Sequence, residues 1–156
     1  METAIIKKEN LRELGHIEGI KCFACSPQNP IGLKMDFFAD ETCVYSWLKI
    51  ADHFCSWDTI VHGGIVVVVL DEIMSWAATY FLKKFTITKS CNVDFMKTVY
   101  TNMEIRAEGR VKECLSEKKV IIEGSIYNNS KNELCARAAG EYILFDSFKL
   151  NKNQNG

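Results

Sequence analysis

Val61-His62-Gly63-Gly64-Ile65-Val66-Val67-Val68-Val69-Leu70-Asp71 is the stretch on which the reading of this chain turns. Two glycines open the most apolar run of the protein, and an ionisable residue closes it. Four consecutive valines favour a strand by propensity. The apolar character nevertheless continues through Ile73, Trp76, Ala77, Ala78, Tyr80, Phe81 and Leu82 to Lys83-Lys84. About 20 residues is long for a strand and ordinary for a helix. Lysines at the end also suit the negative end of a helix dipole. The segment 62–83 therefore reads as a helix, apolar nearly all round and buried at the centre of the domain. A carboxylate in such a place is costly unless it is paired, hydrogen-bonded or used. Glycines at the helix entry let backbone N–H groups approach a ligand at the end where an oxyanion binds. One segment thus offers a donor for a polarised carbonyl and a carboxylate to deliver water.

The flanks read differently. Residues 6–15 suggest a short helix or extended arm. Cys22 to Leu33 holds both prolines together with Ser26, Asn29 and Gly32, a turn-rich loop. Leu33, Met35 and Phe37 alternate with Lys34 and Asp36 as in a strand, Asp40-Glu41 makes a turn, and Cys43 to Ile50 reads as the hairpin partner. Residues 51–61 form an irregular connection. Four strand-like segments follow the helix. The first, Phe85 to Met96, sets Ile87, Cys91, Val93 and Phe95 against Thr88, Ser90, Asn92 and Asp94. Met103 to Glu113 comes next, then a strand marked by Val120, Ile122, Gly124 and Ile126. The last carries Leu134, Ala136, Ala138, Gly140, Tyr142 and Leu144 on one face. Two strands, one long apolar helix and four strands imply an α+β domain, an antiparallel sheet wrapped around a single helix. The whole of 1–156 reads as one domain, with an N-terminal arm over 1–20 and a polar tail over 147–156. A helix apolar on every side calls for more cover than one sheet supplies, so a dimer is expected.

Composition narrows the function. With 156 residues, 47% hydrophobic and 25% charged, the chain has the balance of a globular domain. A net charge of -1 without a basic run excludes a strong field for nucleic acid or anionic membrane. The run before Asp71 is shorter than the roughly 20 residues of a bilayer span. The mixed-charge stretch Met1–Asn10 does not read as a signal peptide. Seven scattered cysteines suit free thiols in a reducing compartment, hence a cytoplasmic protein.

His62-Gly63-Gly64 with Asp71 nine residues after the histidine resembles the hotdog-fold acyl-CoA thioesterases, and within them the phenylacetyl-CoA-thioesterase-like branch. Cys22-Phe23-x-Cys25-x-x-x-Asn29-Pro30-x-Gly32-Leu33 resembles an N-terminal motif of that branch, and Thr88-x-Ser90-x-Asn92-Val93-x-Phe95 resembles the strand after its central helix. Together the three cover roughly residues 20–145. The resemblance implies a hotdog fold and hydrolysis of an acyl-CoA by a homodimer or a dimer of dimers, with no cofactor. It implies Asp71 as general base or nucleophile. The Gly63 N–H would polarise the thioester carbonyl from the opposite subunit. His62 would hold the site together beside Gly64, and the Thr88 hydroxyl would position water. Many members carry Asn or Gln in the loop before the histidine; here Ser56 stands six residues before His62, with Cys55 beside it.

Bland readings stand beside these. Asp71 could be a helix acid paired with lysine or exposed to water. Glu72 lies about 100° further round the helix, so the two acids do not serve one site equally, and it reads as a helix-surface or interface residue. Cys22 and Cys25 form a lone C-x-x-C. Zinc needs two further ligands, and neither a second C-x-x-C nor an H-x₃-H occurs, so the reading is a turn with buried thiols and no metal. His16 and His53 read as surface residues. No G-x-S-x-G elbow, P-loop or dinucleotide fingerprint is present. Arg106, Arg110 and Lys112 read as a solvated strand face; these, Lys89, Lys97 and Arg137 are the candidates for coenzyme A phosphates. Two alternatives remain: a hotdog dimer that holds an acyl or aromatic ligand without hydrolysing it, and a hydroxyacyl-thioester dehydratase using His62.

Overall fold

Helix α1 (Gly63–Leu82) lies along one face of a seven-stranded sheet. Residues 5–146 are described in this computed structural model; the expected tail 147–156 and the first four residues of the arm lie outside the described residues. The strands are β1 (Arg12–Leu14), β2 (Phe37–Ala39), β3 (Val44–Lys49), β4 (Phe85–Phe95), β5 (Glu104–Cys114), β6 (Lys119–Asn128) and β7 (Glu133–Phe145). Their order is β1-β2-β3-β5-β6-β7-β4, and every neighbouring pair is antiparallel. The expected single helix in an antiparallel sheet is therefore present. By length and composition α1 could cross a bilayer, yet here it packs against the sheet. Val66, Val69, Leu70, Ile73, Met74, Trp76, Ala77 and Ala78 are buried between helix and strands.

Small residues let the helix settle that close. Val44, Gly109, Gly124, Ala138 and Val93 stand side by side across β3, β5, β6, β7 and β4. A Cβ on Gly109 would lie 2.4 Å from the Ile73 carbonyl oxygen, and one on Gly124 would lie 2.9 Å from Met74 Cγ. Both positions need glycine because the helix backbone approaches them directly.

Three expectations change. The run Leu33–Phe37 is not a strand, since β2 begins at Phe37. Lys34 takes a left-handed φ of 52°, and the Met35 N–H goes back to the Ala24 carbonyl at 2.9 Å, so alternation there arises without a ladder. The arm becomes a 3-10 turn at Lys8–Asn10 followed by the short edge strand β1. Arg106 is buried rather than solvated: its guanidinium donates to Glu108 (2.8 Å), Asn129 (3.2 Å) and Asn132 (2.8 Å) and lies over the Tyr127 ring.

The far edge of the sheet is β4, which among the described residues pairs only with β7. Its register shifts between Thr88 and Ser90, so Lys89 is an extra residue. The expected unbroken alternation in β4 is thereby corrected. Thr86 and Thr88 turn toward α1, as their hydrogen bonds to Ser75 and Asp71 show, while Ile87 turns out and is 59% exposed. Beyond the bulge Cys91 and Val93 pack on the core.

Candidate active site

The helix entry is built by His62. Its Nδ1 accepts from the Gly64 N–H at 2.9 Å, which makes it the N-cap, and its carbonyl accepts from Ile65 and Val66. Its own N–H is held by the Phe54 carbonyl at 2.9 Å. Capping satisfies one of the otherwise unpaired amides of a first turn. The Gly64 N–H is thus occupied, whereas the Gly63 N–H carries no hydrogen bond among the described residues. Gly63 and Ser56 line one cavity of about 320 Å³, together with Val61, Phe95, Met96 and Lys97. The Ser56 hydroxyl donates to the Ile60 carbonyl at 3.3 Å. An unpaired amide at a helix N-terminus facing an open cavity is a donor waiting for an oxygen.

Asp71 sits two turns further along α1. The Thr88 hydroxyl donates to its Oδ1 at 2.7 Å and the Tyr142 hydroxyl to the same oxygen at 2.8 Å. Oδ2 accepts no hydrogen bond among the described residues. One oxygen is pinned and the other is left for chemistry. Burial and the Asp71 charge both push the Tyr142 phenol well above its usual range, so it stays protonated and donates. Burial, then the same carboxylate, raises the neighbouring Cys91 thiol, which marks it as an inert packing group.

The sequence reading did not single out Tyr142. It is fully buried in β7, opposite Thr88 in the ladder, and its ring lies over Gly140, where a Cβ would come 2.6 Å from Cε2. The available signal was a lone hydroxyl on an otherwise apolar row: Ala136, Ala138, Gly140, Tyr142, Leu144.

Glu72, expected at the helix surface or an interface, is half-buried within the chain. It points under the N-terminal loop, where Trp76 Nε1 donates to its Oε1 at 3.1 Å and the Cys22 thiol approaches the same oxygen at 3.5 Å. The structure therefore sorts the candidates into two groups, Gly63 with Ser56 at the helix entry and Asp71 with Thr88 beside β4. Asp71 does not line the Gly63 cavity. Eight residues of helix separate the two, about 12 Å of rise. The basic candidates carry acidic partners: Lys89 with Glu141 (2.9 Å), Lys97 with Glu133 (3.1 Å), Lys112 with Glu123 (2.9 Å) and Arg137 with Asp94 (3.2 Å).

No protein-family profile matches the chain, and no curated protein does. Solved structures match closely in shape. The E. coli PaaI protein from the phenylacetic acid degradation operon superposes with a TM-score of 0.66 at 16% identity, covering 72% of this chain and 80% of that one. Zebrafish thioesterase superfamily member 2 gives 0.67 at 15%, covering 76% and 89%. The chain has the hotdog fold. A third hotdog structure, smu.793 from Streptococcus mutans UA159 bound to acetyl-CoA, gives 0.69 at 14% identity, covering 84% and 97%. In hotdog terms α1 is the central helix, and β4 is the longer of the two edge strands of the sheet.

Proposed function

We propose that this hotdog chain is a cytoplasmic acyl-CoA thioesterase whose site is assembled by two copies of the chain. The observation that carries the reading is Asp71, a carboxylate in the apolar central helix with Oδ1 fixed by Thr88 and Tyr142 and Oδ2 unengaged among the described residues. Oδ2 takes a proton from water as the water oxygen bonds to the thioester carbon. The Gly63 N–H stabilises the oxygen that becomes negative, and the C–S bond then breaks to release coenzyme A as thiolate, which takes up the proton. One preorganised donor of this kind contributes about 3–4 kcal/mol in other hydrolases. Gly63 and Asp71 of one chain lie too far apart to act on one carbonyl. A two-fold pair with antiparallel helices brings the partner's Gly63 to Asp71, and the unpaired β4 edge gives that pair a seam to form along. The acetyl-CoA bound to the Streptococcus mutans neighbour is in keeping with a coenzyme A thioester as substrate. Lys97, which lines the Gly63 cavity and pairs with Glu133, is our candidate among the basic residues to meet its phosphates.

A second reading is a hotdog dimer that binds an acyl thioester without cleaving it. It is favoured by Ser56, whose hydroxyl is turned to the Ile60 carbonyl, so that the loop presents no amide to the cavity. A panel of short, long and aryl acyl-CoAs, followed by thiol release, separates the two. Turnover of at least one, lowered about 10²–10⁴-fold in Asp71→Ala with the oligomer intact, is expected of an enzyme. Binding without release by the unaltered protein across the panel removes the hydrolase reading.

A further inference from the structure

The N-terminal motif plays no part in the chemistry above, yet the fold shapes it closely. Asn29 Nδ2 donates to the Lys21 carbonyl at 3.1 Å, and the Leu33 N–H donates to the Phe23 carbonyl at 2.9 Å. A Cβ on Gly32 would fall 2.2 Å from that same Phe23 oxygen. The Ser26 N–H closes a single turn onto the Cys22 carbonyl at 3.0 Å. These bonds aim the Cys22 and Cys25 thiols at one target, Glu72 on α1. The two Sγ atoms and a Glu72 carboxylate oxygen all lie within 4.8 Å of one another.

We propose that Cys22, Cys25 and Glu72 bind one zinc ion, with water as the fourth ligand, and that the ion clamps the N-terminal loop to the central helix. Zn–S near 2.3 Å and Zn–O near 2.1 Å put tetrahedral S···O edges at about 3.6 Å; the Cys22 Sγ to Glu72 Oε1 separation is 3.5 Å. The place also lacks something a cation supplies. The cavity of about 210 Å³ beside Glu72 is lined by both thiols, Ser75, Trp76 and Thr86, and among the described residues no basic side chain lines it. A half-buried carboxylate without a counter-charge is costly, and Glu72 faces this cavity. A dication meets that carboxylate, and the two thiols release their protons to solvent as they become thiolates. Water enters through the cavity to complete the shell. The sequence alone shows two ligands three residues apart in one loop; the third comes from 47 residues beyond Cys25, and only the fold brings it there.

The test uses the full chain purified under reducing conditions and loaded with zinc or cobalt. Expected are one zinc per chain, competition with a chromogenic chelator, and a thiolate-to-cobalt charge-transfer band with d–d bands of tetrahedral intensity. Cys22→Ser and Cys25→Ser should weaken binding more than about 100-fold, and Glu72→Gln about tenfold or more. Cys55→Ser/Cys114→Ser, which removes the two exposed thiols, should bind as the unaltered chain does. Should a loop variant unfold by circular dichroism, Glu72→Gln, which keeps the side-chain shape, decides the matter. Failure to compete with the chelator, a Cys22–Cys25 disulfide in place of metal, loss of binding in the Cys55/Cys114 control, or unchanged affinity in Glu72→Gln would each overturn the proposal. None of these readouts depends on thioester turnover.

Discussion

Tyr142 reaches the Asp71 carboxylate only because residue 140 has no side chain. Tyr142→Phe removes a buried donor and should leave the fold standing, at about 1 kcal/mol. Asp71 then turns on the Thr88 contact alone, and turnover should fall about tenfold with little change in KM, read from steady-state thiol release. Gly140→Ala should reproduce that loss by pushing the ring off its seat. At the helix entry Gly63→Pro is the sharper probe. Proline suits the first helical position, and His62, with φ -57° and ψ 133°, already has the conformation a following proline requires. The variant deletes one N–H and little else; a loss of about 10²-fold or more in kcat with an unchanged melting temperature is expected. Unchanged kcat would remove that amide from the chemistry.

Among the elements, α1 was legible from its length and its glycine start, and the helix so read begins at Gly63 and contains Asp71. The face of β4 was not. Period-two reading places Thr88 in the polar row with Ser90, Asn92 and Asp94, facing away from the helix. One extra residue, Lys89, breaks the period and turns Thr88 inward, and a bulge leaves no mark in a polar stretch of this kind. Glu72 was misplaced for a related reason, since its cysteine partners lie in a loop that folds back across the helix. Close packing of α1 on β5 gives a stability test: Gly109→Ala sets a methyl against the Ile73 carbonyl and should cost about 1–3 kcal/mol, measured by denaturant unfolding. The β2–β3 turn gives another. Asp40 accepts from the Thr42 and Cys43 amides (2.7 and 2.8 Å) and from the Tyr45 hydroxyl (2.9 Å). Burial would raise its carboxyl, but these bonds outweigh it and the net shift is downward. A depressed carboxyl stabilises above its unfolded value of about 3.9 and ceases to as pH falls through the folded one. Asp40→Asn should therefore cost about 1 kcal/mol near neutrality, and progressively less as pH falls below about 3.9, in paired denaturation curves.

For the molecule as a whole, the sheet ends on an eleven-residue strand with one side unpaired, and Phe95 on it is 57% exposed beside Gly63. A long open edge next to an apolar helix invites a second copy. Phe95→Glu should shift the protein to monomer by light scattering and abolish turnover in the same step; a monomer that still cleaves thioesters would refute the shared site. The twelve ångströms or so between helix entry and helix acid carry a genetic corollary. If each reaction centre borrows its amide from the neighbour, Gly63→Pro and Asp71→Ala are lesions in different halves of every centre. Chains bearing one lesion apiece, inactive alone, should rescue one another when reshuffled, and random pairing restores about one quarter of the centres.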